Sequence, residues 1–195
     1  MPICLALETA RLRLRSWRPA DAAELHAILA ANHARLSPWI PARVADPASP
    51  SALAERLARF AVDFAADQEW RYAMLSRADG RIVGELSVFP RSEGGRVPLA
   101  RADRAELGYW LRLEATGQGY VTEAVRALLA LLAAEPQFRH VEIHCDARNA
   151  ASAAVPRRLG FVLRPCGVSG DAPRPDRTLQ VWEWHRPSAG VGDQR

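Results

Sequence analysis

Polar and apolar residues alternate strictly over residues 11–15 (Arg-Leu-Arg-Leu-Arg), the period of a half-buried strand. The period then changes. Pro19 and Asp21 open a helical pattern that places Leu25, Ile28 and Leu29 on one face. A break rich in proline and aromatic side chains follows, Leu36-Ser-Pro-Trp-Ile-Pro41. Ser49 and Pro50 read as the N-cap and first position of a second helix, with Leu53, Leu57, Phe60, Ala61 and Phe64 at helical spacing. Residues 71–76 and 81–89 read as the arms of a hairpin about the turn Asp79-Gly80. Residues 90–103 read as a long loop, of a length that in compact domains tends to be functional.

Strand and helix then alternate. Residues 106–111 predict a strand, residues 121–132 a helix, 141–145 a strand and 149–159 a short helix stopped by Gly160. Residues 161–164 and 178–184 predict two last strands across a Gly/Pro/Asp-rich loop over 165–176. The order β-α-α-β-β-β-α-β-α-β-β, with no repeat and no dividing linker, predicts one α/β (α+β) domain. Its sheet is expected to be mixed, mostly antiparallel and twisted, with helices against it.

Composition narrows the function classes. The chain has 195 residues, 49% hydrophobic and 25% charged, as in soluble globular domains, with a net charge of +4. No apolar run suits a membrane span, and no secretory signal is visible at the first residues, so a cytoplasmic protein is expected. Cys4, Cys145 and Cys166 are odd in number and far apart, which predicts neither a disulfide framework nor a metal site. All the basic residues are arginine. They are interleaved with carboxylates (Arg11, Arg13, Arg15 and Arg18 beside Asp21 and Glu24), the pattern of a solvated surface rather than a nucleic-acid footprint.

The first chemical signal is Gly117-Gln118-Gly119 between the strand over 106–111 and the helix over 121–132. Such a joint points backbone N–H groups and the positive end of the helix dipole at one place, and so can hold a phosphate without a cationic side chain. It is not a P-loop, because no Gly-Lys-Ser/Thr follows, nor a dinucleotide fingerprint, because the third glycine is missing. A turn that needs glycine for backbone reasons alone would look the same. The second signal comes after the next strand: Asn149-Ala-Ala-Ser152-Ala-Ala-Val155-Pro-Arg-Arg-Leu159-Gly160-Phe161.

Together the two motifs resemble the Gcn5-related N-acetyltransferase (GNAT) superfamily. Residues 9–15, running on to Asp21-Ala-Ala-Glu-Leu25, and the segment Leu36-Ser-Pro-Trp39-Ile-Pro41 resemble its ribosomal-protein alpha-amino acetyltransferase (RimJ/RimL-like) branch. The resemblance covers roughly residues 9–184. It implies an acyl-CoA N-acyltransferase domain over residues 1–187, with 188–195 as a disordered tail. It implies acetyl-CoA as co-substrate, no metal, and an amine acceptor. Leu111, Thr116, Gly117, Gln118, Gly119, Tyr120 and Thr122 would bind the coenzyme, with donors counted from the Thr116 N–H onward. Asn149 would hold the pantetheine arm, unless it serves only as a helix N-cap. Ser152, one turn on, would protonate the departing thiolate, unless it is a plain surface residue. The family's loop usually begins with Gln or Arg three residues before the first glycine. Here Glu114 stands there, and it must point away from a pyrophosphate.

Acetyl transfer needs a neutral amine and a polarised thioester carbonyl. Glu106 is the first candidate for the base, because family members often carry it on this strand; a salt bridge with an arginine is the plain alternative. Glu85, in an otherwise apolar run, is the second. Glu85, Glu106 and Trp39 are the candidates for the acceptor site. His144 and Cys145 point to opposite faces of a strand and are discounted as a pair. Trp110, Trp182 and Trp184 suit the core or the interface of a homodimer. The acceptor read from this is a protein or peptide α-amine. A small-molecule amine (aminoglycoside, polyamine or amino acid) and a non-catalytic acyl-CoA-binding module are the alternatives, and neither a membrane nor a nucleic acid is expected as partner.

Overall fold

A computed structural model describes residues 6–164 and 178–186. The expected tail, Cys4, Cys166 and the loop over 165–176 lie outside the described residues. Strands β1 (Ala6–Glu8), β2 (Leu12–Ser16), β3 (Trp70–Ser76) and β4 (Ile82–Ser92) pair antiparallel in sequence order. A two-residue β5 (Gly95–Arg96) folds back on β4. β6 (Arg104–Leu111) lies antiparallel to β4 on one side and parallel to β7 (His140–Asp146) on the other. β9 (Leu179–His185) and the short β8 (Val162–Leu163) complete the sheet in the order β1-β2-β3-β4-β6-β7-β9-β8.

The helices cover both faces. α1 (Ala22–Leu36) buries Leu25, Ile28, Leu29, Asn32 and Leu36, a stripe at spacings of three and four. α3 (Pro50–Ala65) begins as predicted: Ser49 Oγ accepts the Ala52 N–H and Pro50 needs no donor. These two, with the four-residue α2 (Ala42–Ala45), pack on Trp17, Ala73, Ile82 and Trp110. α4 (Tyr120–Ala134) and α5 (Ala150–Arg158) cover the other face, where Leu128 and Leu132 meet Tyr72, Leu86, Val88 and Leu107. The sheet is therefore apolar on both sides. β3 and β4 are buried almost throughout, which is why their alternation is weak in sequence.

The long loop expected over 90–103 is largely structured. β4 continues to Ser92, β5 returns, and a short 3₁₀ turn spans Leu99–Arg101. The Val97 N–H bonds Pro90 O and the Asp103 N–H bonds Arg91 O, so backbone pairing replaces the expected irregularity. β1 and α2 were not anticipated; three and four residues are too short to show a period. Asn149 lies outside its helix, as the N-cap of α5.

Candidate active site

β6 and β7 pair from Arg104–His140 to Leu107–Ile143 and then part. Residues 108–111 of β6 continue to pair with β4, and residues 144–146 of β7 with β9. The facing edges of the two strands are left without a ladder at the middle of the sheet. A cleft of about 1650 Å³ runs through this parting. Every residue expected to bind the coenzyme or the acceptor, or to act in catalysis, lines it: Trp39, Glu85, Glu106, Leu111, Thr116 to Tyr120, Thr122, Asn149 and Ser152.

The glycine turn meets the cleft at the start of α4. Gly117 and Gly119 have φ of 74° and 79°, a region that a β-carbon disfavours. α4 has no side-chain cap. Among the described residues the N–H groups of residues 117–122 have no hydrogen-bond partner; the first taken is that of Glu123, by Gly119 O. Six unpaired donors at a positive helix end, open to a cleft, fit a phosphate-bearing ligand. Thr116 departs from expectation. Its N–H and its hydroxyl both go to Leu113 O, at 3.0 and 2.7 Å, so the donor set starts at Gly117. Glu114 is 68% exposed, lies 3.8 Å from Arg112, and is not among the residues lining the cleft.

Several residues that hold this loop were not foreseen. Arg11 donates to Gln118 O (2.9 Å), sits 4.8 Å over the Tyr120 ring and pairs with Glu123 on α4. Burial opposes ionisation of Glu123, but Thr9, the Arg11 N–H and the Arg11 side chain outweigh it and hold its carboxyl below the ordinary range. On the other side, buried Asn32 accepts the Leu113 N–H at 2.8 Å while donating to Ile28 O, and Arg35 bonds Leu111 O. Asn32 and Asn149 are the chain's two asparagines, a scarcity that could have drawn attention to both.

Ser152 and Tyr109 meet across the parting. The Tyr109 hydroxyl donates to Ser152 O at 2.9 Å and receives Ser152 Oγ at 3.2 Å. Pro156 explains this. It lies four residues on, inside α5, and has no N–H, so the Ser152 carbonyl lacks its helical donor and takes the tyrosine instead. Burial raises the Tyr109 pKa far above its ordinary value, against the pull of Ser152, and the group stays protonated. Asn149 Oδ1 accepts the Ser152 N–H at 3.1 Å. The cap therefore engages its oxygen and leaves the amide nitrogen to other partners.

On the opposite face of the sheet, Glu106 of β6 and Glu85 of β4 differ sharply. Glu85 is 4% exposed and receives Trp17 Nε1 (2.9 Å), Arg71 (3.0 Å) and Ser87 Oγ (2.8 Å). Glu106 pairs with Arg91, with Arg96 4.0 Å away, so the salt bridge that was the alternative to a base role is present. Register sets the two carboxylates apart: Glu85 faces Trp110 and Glu106 faces Phe89, four residues along the strand, or about 13 Å. His144 bonds Glu142 on its own face at 2.8 Å, while Cys145 turns the other way into the core, in line with the strand parity. Trp110 and Trp182 are buried within the chain. Among the described residues no three metal-ligating side chains converge, and no helix is long and apolar enough to cross a membrane.

Known proteins resemble this chain in sequence and in fold. YdaF of Bacillus subtilis (strain 168), provisionally named a ribosomal N-acetyltransferase, is 28% identical over 159 residues, 77% of this chain and 78% of its own. The ribosomal-protein-serine acetyltransferase of Escherichia coli (strain K12) is 39% identical over 88 residues, 45% of each chain. Among solved structures, the ribosomal L7/L12 alpha-N-protein acetyltransferase RimL in complex with coenzyme A superposes with a TM-score of 0.74 at 21% identity. That match covers 92% of this chain and 97% of the other, and it shows a common fold. The family model for the Acetyltransferase (GNAT) domain matches residues 11–162, and the chain belongs to the GNAT acetyltransferase family.

Proposed function

We propose that the protein transfers the acetyl group of acetyl-CoA to the α-amine of a protein or peptide. The observation that carries this is the uncapped start of α4, whose unpaired N–H groups open into the same cleft as the parting of β6 and β7. Family membership supports the chemistry, and the relatives named as ribosomal-protein acetyltransferases support a protein acceptor. A cytoplasmic setting belongs to the same reading.

Acetyl-CoA supplies a thioester carbonyl open to attack by a neutral amine. In this chain the N–H groups of residues 117–122 and the Thr122 hydroxyl would hold its phosphates, with Arg11 and Glu123 fixing the loop. Leu111, at the end of β6, and the Asn149 amide nitrogen would guide the arm into the parting. Ser152 Oγ and the Tyr109 hydroxyl form a protonated pair there, and the Ser152 O–H, turned from Tyr109 toward the cleft, would give its proton to a leaving sulfur. Glu106 would accept the amine's proton, directly or through water. It has one close cation, whereas the lone pairs of Glu85 already hold three donors. Trp39, 39% exposed at the cleft, offers an apolar wall to the acceptor.

The test is CoA release from acetyl-CoA with a panel of short peptides, N-terminally free or blocked, alongside spermine and an aminoglycoside. Acetylation at the peptide N-terminus, located by mass spectrometry, is the expected result. Consumption of the small amines alone would overturn the peptide reading.

A further inference from the structure

The acceptor half of the cleft carries more positive charge than its acids balance. Arg35, Arg43, Arg71, Arg91 and Arg96 line it, against Glu85 and Glu106. Arg71 pairs with Glu85 and with Glu69, just behind the cleft wall, and Arg91 pairs with Glu106. Arg35 bonds neutral oxygens, Asn32 Oδ1 and Leu111 O. Arg43 remains, and Arg96 has only long contacts to two glutamates that other arginines hold more closely. Arg43, exposed on α2, has no hydrogen-bond or ion-pair partner for its guanidinium among the described residues. Arg96, 45% exposed on β5, lies 3.6 Å over the Phe89 ring, and its nearest carboxylates are 3.9 and 4.0 Å away. Both line the cleft, Arg43 from α2 and Arg96 from β5 of the hairpin.

Surplus cations at the entrance to an amine site repel an acceptor that is itself cationic, unless the acceptor brings anions of its own. Two guanidiniums on separate elements, both reaching solvent, suit carboxylates spread along an extended chain. We infer that Arg43 and Arg96 select peptide N-termini with Asp or Glu in the residues just after the acceptor amine. Polyamines and aminoglycosides are poor acceptors on the same grounds. The inference rests on the α-amine acetyltransferase reading above. The state of Arg96 agrees with it: burial lowers its pKa, with Glu106 and Glu69 opposing and Arg71 and Arg43 adding to the effect, so a further anion would be welcome there.

The experiment compares three peptides of equal length and identical first residue, whose second and third residues are Glu-Asp, Gln-Asn or Arg-Arg. The acidic peptide should exceed its neutral isostere by about tenfold in kcat/KM, mostly through KM, and the gap should shrink at high salt. In the Arg43→Gln/Arg96→Gln double variant, shown folded by its thermal melt, the ratio should fall to about two. Equal use of acidic and neutral peptides by the wild-type protein would overturn the charge selection and leave peptide acetylation standing. A ratio that survives in the folded double variant would overturn the assignment to these arginines. If no peptide is acetylated, both this inference and the reading beneath it fall.

Discussion

Arg11 and Glu123, 112 residues apart, are joined by the Arg11 N–H at 2.9 Å and by two side-chain contacts at 2.7 and 2.6 Å. The same guanidinium reaches Gln118 O. One arginine at the foot of β2 therefore holds both the first turn of α4 and the glycine turn before it. Glu123→Ala should leave Arg11 unanchored and loosen the turn. Its CoA dissociation constant should rise about tenfold, from the loss of charge-assisted hydrogen bonds. Calorimetric titration measures this, and an unchanged affinity would mean that the turn holds its shape alone.

Gly119 separates backbone from charge effects. A β-carbon there would meet only Arg11 Nη2, at 3.6 Å, so space is available, but φ is +79°. Gly119→Ala should therefore cost about 1–2 kcal/mol of stability through the backbone alone. Gly119→Asp should cost a similar amount and, in addition, weaken CoA binding by about a hundredfold, because it sets a carboxylate where the helix end attracts an anion. Equal CoA affinity in the folded Ala and Asp variants would rule out phosphate binding at this loop.

The two glutamates should fail in different ways. Glu106→Gln is expected to keep acetyl-CoA affinity and lower kcat by about a hundredfold. Glu85→Gln removes one of the two carboxylates on buried Arg71, Glu69 being the other, and should lower the unfolding free energy by about 2 kcal/mol, read from chemical denaturation. Full stability together with lost turnover in Glu85→Gln would move the base to β4.

The tyrosine–proline relationship can be tested by a double-mutant cycle. Tyr109→Phe leaves Ser152 O without a donor and should cost about 1–2 kcal/mol. Pro156→Ala restores a helical N–H to that carbonyl, so the substitution should recover stability in the Tyr109→Phe background. Additive effects of the two changes would show that they do not share the Ser152 carbonyl.

Glu142 sets an acid limit. Burial raises its pKa, but His144 and Arg104 prevail and bring it down from 4.5 to about 2. A depressed pKa means stability that is fully present above about pH 4.5 and lost as pH falls toward 2. Acid titration of the unfolding free energy should show this loss, and Glu142→Gln should flatten the curve between those values. A slope that persists in the variant would place the acid sensitivity elsewhere.

Much of the architecture was legible along the chain because its causes are local. The stripes of α1, α3 and α4, the caps at Ser49 and Asn149, and the glycines at 117 and 119 each depend on residues within a turn or two. The parity that sets Glu106 against Tyr109 is equally local, since a strand alternates whatever it pairs with. So the approximate positions of β6, α4 and α5, and with them the candidate loop, were determined by the sequence.

Where β6 leaves β7 was decided only by the folded chain. Pairing ends after Leu107 and Ile143 because each strand goes on with a different neighbour, and no pattern within either strand records that. The choice of partners for the carboxylates was likewise tertiary. Among so many arginines, Glu85 meets Arg71, Glu106 meets Arg91 and Glu123 meets Arg11 through strand register and helix docking rather than spacing. Tyr109 stands between the two cases. Pro156 announced a carbonyl without a donor, a fact local to α5, but which hydroxyl would fill it depended on β6 arriving alongside. Periodicity encodes which face a residue takes within its own element; the contacts between elements arise from long-range packing, which no short window of sequence contains.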